Sequence, residues 1–128
     1  MLIELAPSDI RFMQDSIYPS FYGGKRVNDV IEDIYSGRTS LNVLPRIEVT
    51  KRNNKYYSLD NRRLYLYRVL EKRGFLSRVK VSLVSKWPEW KFTTENDGAS
   101  VIVRGQKTLP HHISDEEELS ENLPEFCR

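Results

Sequence analysis

Tyr57-Ser58-Leu59-Asp60-Asn61-Arg62-Arg63-Leu64 is where the chain changes its period. Before it, Lys55-Tyr56-Tyr57-Ser58-Leu59 reads as a strand. After it, Arg63 to Arg73 reads as a helix, with good helix formers, apolar Leu66, Val69 and Leu70 along one side, and Gly74 at its end. Asp60 or Asn61 suits the cap of that helix. Arg62 and Arg63 then fall in its first turn, against the positive end of the macrodipole, an arrangement unfavourable by up to about 1 kcal/mol unless something offsets it. A bound anion would do so. Backbone N–H groups, the dipole and two guanidinium groups together make a phosphate site. The alternative is structural: Arg62 or Arg63 pairs with an internal carboxylate such as Asp15 or Asp29.

Working upstream, Arg52-Asn53-Asn54 carries the residues of a tight hairpin turn, because Asn tolerates positive φ. It would join the 55–59 strand to another at Arg46-Ile47-Glu48-Val49-Thr50. Val27, Val30, Ile31 and Ile34 have the spacing of one helix face, and Gly37 supplies a stop. Leu2 to Leu5 predicts an opening strand, and Tyr18 to Gly24 irregular chain. Downstream, Val79 to Val84 alternates as a strand, Trp87-Pro88-Glu89-Trp90 breaks it, and Ala99 to Val103 predicts a last strand. The sum is α+β: one domain over residues 1–109, a small mixed sheet flanked by helices. An acidic, flexible tail is expected over 110–128, placing His111 and His112 in a loop rather than in a metal site.

The length of 128 residues suits one core and not two. No run of about 18 apolar residues is present, and Met1-Leu2-Ile3-Glu4 lacks the layout of a signal peptide, so an intracellular protein, cytoplasmic or nuclear, with no membrane partner is expected. The lone Cys127 excludes a disulfide framework and a thiolate cluster. The net charge of +2 hides an asymmetry. Residues 51 to 91 hold twelve Lys/Arg against Asp60, Glu71 and Glu89, while residues 92 to 128 hold Arg104, Lys107 and Arg128 against eight acids, including Asp115-Glu116-Glu117-Glu118. The basic centre reads either as the footprint of a phosphate-bearing ligand or as a solvated face. Tyr56, Tyr57, Tyr65 and Tyr67 among these cations admit a base-stacking surface, though strand and helix spacing would send part of the set inward. The acidic end could fold over the basic centre as a screen.

The order of these elements resembles the ParB N-terminal and sulfiredoxin-like domain. It runs from a helix ending in Gly37 through Leu44-Pro45-Arg46-Ile47-Glu48-Val49, a hairpin and Tyr57 to Arg63 to a helix ending in Gly74 and the strand Val79 to Leu83. In that family a Pro-Ile-x-Val strand precedes a Gly-x-x-Arg phosphate motif opening a helix. The resemblance covers residues 2 to 84. Ile10 to Ile17 paired with Asp60 to Leu64 is also similar to uncharacterised ParB-like proteins. By position, the resemblance makes Arg63 the phosphate-binding arginine, Arg62 its basic neighbour, and Asp60 the replacement for a glycine. Asn61 stands where sulfiredoxins have their cysteine and where ParB proteins have an acid that helps nucleotide hydrolysis. Sulfinic-acid reduction is therefore not expected, and Asn61 is no general base.

Arg11 to Ser16 forms the second candidate group, because the ParB-like layout brings it near the phosphate helix. Arg11, Gln14, Ser16 and Asn61 are expected to contact ligand. Asp15 and Asp60 are expected as catalytic carboxylates or as ligands of Mg²⁺ carried by a nucleoside triphosphate. The competing reading has Asp15 or Ser16 capping a turn that buries Ile17 and Phe21. Three functions follow: binding of a nucleotide or other phosphorylated ligand, with phosphotransfer or hydrolysis as its chemistry; a nucleic-acid-binding module or ParB-like nuclease; or a non-catalytic interaction domain. Nothing in the sequence fixes the oligomeric state.

Overall fold

The computed structural model describes residues 1–21, 24–104 and the backbone of 111–114. Among the described residues ten elements are found: β1 (Leu2–Leu5), β2 (Ile10–Phe12), β3 (Ser16–Ile17), α1 (Val27–Tyr35), β4 (Glu48–Arg52), β5 (Lys55–Ser58), α2 (Asn61–Lys72), β6 (Val79–Leu83), β7 (Ser100–Val103) and β8 (His111–Ser114). Short 3-10 turns lie at Pro7–Asp9, Leu41–Val43 and Glu89–Lys91. Five strands form a mixed sheet in the order β1-β6-β4-β5-β2, and three form a smaller one in the order β3-β7-β8. The single mixed α+β domain expected from the sequence is what forms.

The hairpin is built as its asparagines predict. Asn53 and Asn54 take φ of 52° and 63°, the two left-handed positions of a two-residue turn, and Arg52 pairs with Lys55 across it. That turn carries β4 to Arg52, two residues beyond the expected end. Its start is also later than expected, at Glu48, because the Pro45 and Arg46 carbonyls turn to the Arg63 guanidinium at 2.7 and 3.4 Å instead of entering a ladder. Helix α1 buries Val27, Val30, Ile31 and Ile34, and Gly37 follows it at φ 83°.

Helix α2 departs from its expected one-sided form. It starts at Asn61, and Asn61, Leu64, Tyr65, Leu66, Tyr67, Arg68, Val69 and Leu70 are all buried. It is the central helix, enclosed by α1, the Pro7–Asp9 turn and β2. Tyr57, Tyr65 and Tyr67 therefore lie in the core, and the tyrosine stacking surface does not form. On the C-terminal side, His111 and His112 belong not to a loop but to β8, which pairs antiparallel with β7 from Ser100↔Ser114 to Val103↔His111. The acidic run itself lies outside the described residues. No helix among the described residues is long and apolar enough to cross a membrane.

The chain passes from the large sheet to the small one at Met13-Gln14-Asp15. The Met13 carbonyl accepts from Thr93 N and Thr94 N at 3.1 Å each, and the Asp15 carbonyl from Ile102 N at 2.8 Å. Beside this crossing, Asp97 and Gly98 take φ of 62° and 73°. Asp97 accepts from Lys55 Nζ at 2.6 Å and the Tyr57 hydroxyl at 2.9 Å, and these two bonds hold its carboxyl below the usual carboxylate range. Gly98 lies against the backbone of β2: a Cβ there would sit 2.4 Å from the Phe12 carbonyl oxygen. Gly98→Ala is accordingly expected to destabilise the fold by about 2–4 kcal/mol, since left-handed strain adds to a clash with backbone that cannot yield. Urea unfolding with unchanged m-value would measure it; a change below about 0.5 kcal/mol would contradict the close packing of this turn.

Candidate functional site

At the head of α2 the chain makes a cleft of about 700 Å³, within the range of small-molecule sites. Its floor is the first turn of α2 with Asp60, Asn61, Arg62 and Arg63. Gln14 and Ser16 enter from the crossing between the sheets, and Lys25, Asp33 and Arg104 complete the polar lining. The rest is apolar, from Ile17 and Phe21 through Val30 to Val43 and Leu44. Six of the eight residues expected from sequence thus meet in one cavity.

The four residues at the helix start do different work. Asn61 is 4% exposed; its Oδ1 accepts from Met13 N at 2.8 Å, and its Nδ2 donates to Gln14 Oε1 at 3.2 Å. Because Oδ1 faces an N–H, the amide has one sensible orientation, and this in turn fixes Gln14. With Oε1 engaged, the polar group Gln14 has left is a donor. Asn61 itself is a positioning residue.

Asp60 is the N-cap residue by position but makes no side-chain capping bond. Its Oδ2 accepts from Glu48 N at 3.0 Å, its Oδ1 from Arg63 Nη2 at 2.9 Å, and its own N–H donates to Ser58 Oγ. Arg63 is consequently committed at both ends of its guanidinium, to Asp60 and to the Pro45 carbonyl. The structural alternative applies to this arginine, with Asp60 as the partner and not Asp15 or Asp29. The pair is about three-quarters buried, so it binds the chain before β4 to the head of α2 instead of offering charge to solvent.

Arg62 differs. Its Nη1 donates to the Ser20 carbonyl and its guanidinium lies 5.7 Å from the Phe21 ring centroid, with no carboxylate partner among the described residues. Arg104, which follows β7, reaches into the same cleft. Its Nε donates to Ser16 Oγ at 2.6 Å, its Nη1 to the Tyr18 hydroxyl at 3.1 Å, and it too has no carboxylate partner among the described residues. Lys25 is paired with Asp33 at 3.0 Å, and Asp33 also receives Arg38 at 3.0 Å. Lys25 first and Arg38 second hold the Asp33 carboxyl below its usual range. Four cations face two carboxylates, and the uncompensated charge sits on Arg62 and Arg104.

Two expected residues are not in the cleft. Arg11 donates to the Asp97 carbonyl at 2.9 Å and lines a different cavity. Asp15 does not line the cleft either: its Oδ1 accepts from Thr93 Oγ1 at 3.2 Å and Ser16 Oγ at 3.3 Å, holding the crossing to the loop before β7. Of the two carboxylates expected as Mg²⁺ ligands, Asp15 lies outside the cleft and both Asp60 oxygens already face donors, one of them a guanidinium. Among the described residues no group of three or more His, Cys, Asp or Glu is placed to hold a metal ion. Arg104, Lys25 and Asp33 were not expected. Only topology brings them here, and no local pattern announces it.

The twelve cations of residues 51–91 are also dispersed by the fold. Arg63 pairs with Asp60, Arg73 with Glu32 at 2.8 Å, and Lys55 with Asp97, while Arg68 is buried with its guanidinium 4.8 Å from the Phe12 ring centroid. Neither a protein-family model, a curated protein nor a solved structure matches the chain.

Replacing Asn61 by Ala would leave the Met13 N–H without an acceptor in the core, which costs about 1–3 kcal/mol. Asn61→Ala is expected to lower stability by that amount and to loosen Gln14. Arg62→Ala, at the cleft surface, is expected to lower it by less than about 1 kcal/mol. Parallel urea titrations test the contrast, and equal losses would contradict the division of labour described for these neighbours.

Proposed function

We propose that the chain binds a phosphorylated small molecule, with a nucleotide as the first candidate, in the cleft at the head of α2. One observation carries this reading. Arg62 and Arg104 converge on the cleft without carboxylate partners among the described residues, beside a twelve-residue helix whose N-cap side chain makes no capping bond. An anion there meets the positive end of the macrodipole and two charge-assisted donors. The Gln14 amide adds a donor, and the wall of Ile17, Phe21, Val30 and Leu44 suits the organic part of the ligand.

The reading moves the phosphate contact from Arg63, where the ParB-like resemblance puts it, to Arg62 and Arg104. Membership of the ParB/sulfiredoxin type is part of the same proposal and rests on the element order and the Asp60-Asn61-Arg62-Arg63 start. It is a binding function. Asp15 stands outside the cleft, and Asp60 is tied to Arg63 and to the Glu48 N–H, so no carboxylate is free at the helix start to act as a base. Mg²⁺ would enter on the ligand's own phosphates.

Isothermal titration of the purified chain with ATP, CTP, GTP and inorganic phosphate, with and without Mg²⁺, tests the proposal. Arg62→Ala and Arg104→Ala are each expected to weaken binding about 10- to 100-fold, as loss of a charge-assisted bond implies. Absence of binding by the wild type to every phosphorylated ligand would overturn it. Oligonucleotide binding that grows with length, falls steeply with salt and survives Arg62→Ala would move the function to the nucleic-acid reading.

A further inference from the structure

β4 begins at Glu48, opposite Ser82, so the first residues of β6 have no strand on that side. The Ser82 N–H donates to the Ile47 carbonyl at 3.0 Å; two residues earlier the Lys80 N–H points the same way, where β4 has not begun. The chain before β4 passes there instead, and between it and β6 lies a cavity of about 430 Å³. Its polar lining is Asn42, Arg46, Tyr67, Arg78 and Lys80, with no carboxylate. Leu44 lines both this cavity and the cleft at the head of α2, so the two lie on either side of one segment of chain.

The three cations are uncompensated. Among the described residues neither Arg46, Arg78 nor Lys80 forms an ion pair: Glu4 stands opposite Lys80 in β1 without pairing with it, and Arg78 reaches only the Glu4 carbonyl, at 3.5 Å. Asp60, whose charge is felt at the Tyr67 phenol, is itself paired with Arg63. Three exposed cations alone would describe a solvated basic face. Tyr67 does not belong to such a face. It is 6% exposed and lines the cavity, yet its hydroxyl has no hydrogen-bond partner among the described residues. A buried tyrosine hydroxyl normally has one, because leaving the group unpaired costs about 1–3 kcal/mol. Burial first of all raises this phenol above its ordinary range, so at neutral pH it is a donor, and the Arg46 guanidinium is close enough to act on it.

We infer that this cavity is a second anion site, which takes a phosphate group on the Arg46 and Arg78 guanidinium groups, the Lys80 ammonium and the Tyr67 hydroxyl. The charged groups are donors only, and with no carboxylate facing them they call for an acceptor-only ligand of more than one charge. A phosphate dianion offers three or four acceptor oxygens to such a set, whereas a carboxylate offers two oxygens and a single charge. Free inorganic phosphate and a phosphate monoester present the same oxygens, and the experiment separates them. The site uses neither Arg62 nor Arg104, so it stands whether or not the cleft binds the ligand proposed for it.

The test titrates the full chain with inorganic phosphate, ribose 5-phosphate, oligonucleotides of increasing length and, at matched ionic strength, sodium chloride. NMR follows the Nε–Hε resonances of Arg46 and Arg78 and the backbone amides of Asn42 and Lys80 in the wild type, Tyr67→Phe, Arg46→Ala and Arg62→Ala. Tyr67→Phe removes only the hydroxyl, and Arg46→Ala keeps the carbonyl that faces Arg63. Expected are saturable shifts with phosphate that chloride does not reproduce, an affinity about 10-fold weaker in Tyr67→Phe and in Arg46→Ala, and no change in Arg62→Ala. Tighter binding of ribose 5-phosphate than of inorganic phosphate identifies a monoester as the ligand; equal or weaker binding identifies the free ion. Shifts that chloride matches would reduce the site to a screened basic face and overturn the inference. An affinity unchanged in Tyr67→Phe or in Arg46→Ala overturns it too, as does binding lost in Arg62→Ala, which would place the phosphate in the cleft. Shifts produced by oligonucleotides alone, growing with length, would assign the surface to a nucleic-acid backbone and equally reject a site for a single phosphate.

Discussion

The carboxamide of Asn61 holds three parts of the molecule in register. Met13 is where the chain leaves the large sheet, so its N–H has no strand partner to donate to, and the Asn61 Oδ1 takes that place at 2.8 Å. The same residue is the first of α2, and its side chain orients Gln14 through Nδ2. A buried amide that accepts at one end and donates at the other suits this position, whereas a carboxylate would set a charge against the Gln14 carbonyl oxygen. The crossing between sheets, the start of the central helix and one wall of the cleft therefore depend on a single residue.

Much of the fold was legible because its signals are local. Two consecutive asparagines announce a left-handed turn, and Gly37 and Gly74 end the helices at φ of 83° and 78°. Four apolar residues at helical spacing place α1. The failures have equally physical sources. Lengthwise pattern could not show that α2 would be enclosed on nearly all sides, because its polar letters, Tyr65, Tyr67 and Arg68, have apolar bodies that pack well. The strand His111–Ser114 was missed because a short polar segment carries no periodicity, and its pairing is supplied by β7.

The candidate site divides in the same way. A helix start rich in arginine was readable, and the cleft does lie there. Which arginine is available was not, because that depends on partners distant in sequence: the Pro45 carbonyl for Arg63, and Ser16 and Tyr18 for Arg104. The charge excess of residues 51–91 was read as a footprint, yet a fold this small takes several of those cations into ion pairs and under aromatic rings. Local composition overstates the charge that solvent sees.

The pairing of the first strands has a consequence for how the chain reaches this state. β1 pairs with β6, with Leu2 opposite Ser82; β2 lies beside β5, and β3 beside β7, with Ser16 opposite Ile102. Each of these closures spans a large part of the sequence, which raises the relative contact order and favours slow folding. During synthesis residues 2–17 leave the ribosome before the strands that receive them. Ile10, Phe12, Met13 and Ile17 are all buried in the finished protein, so the nascent chain exposes apolar residues until β5 and then β7 emerge to receive them, and that interval is when chaperone capture or misassociation competes with folding.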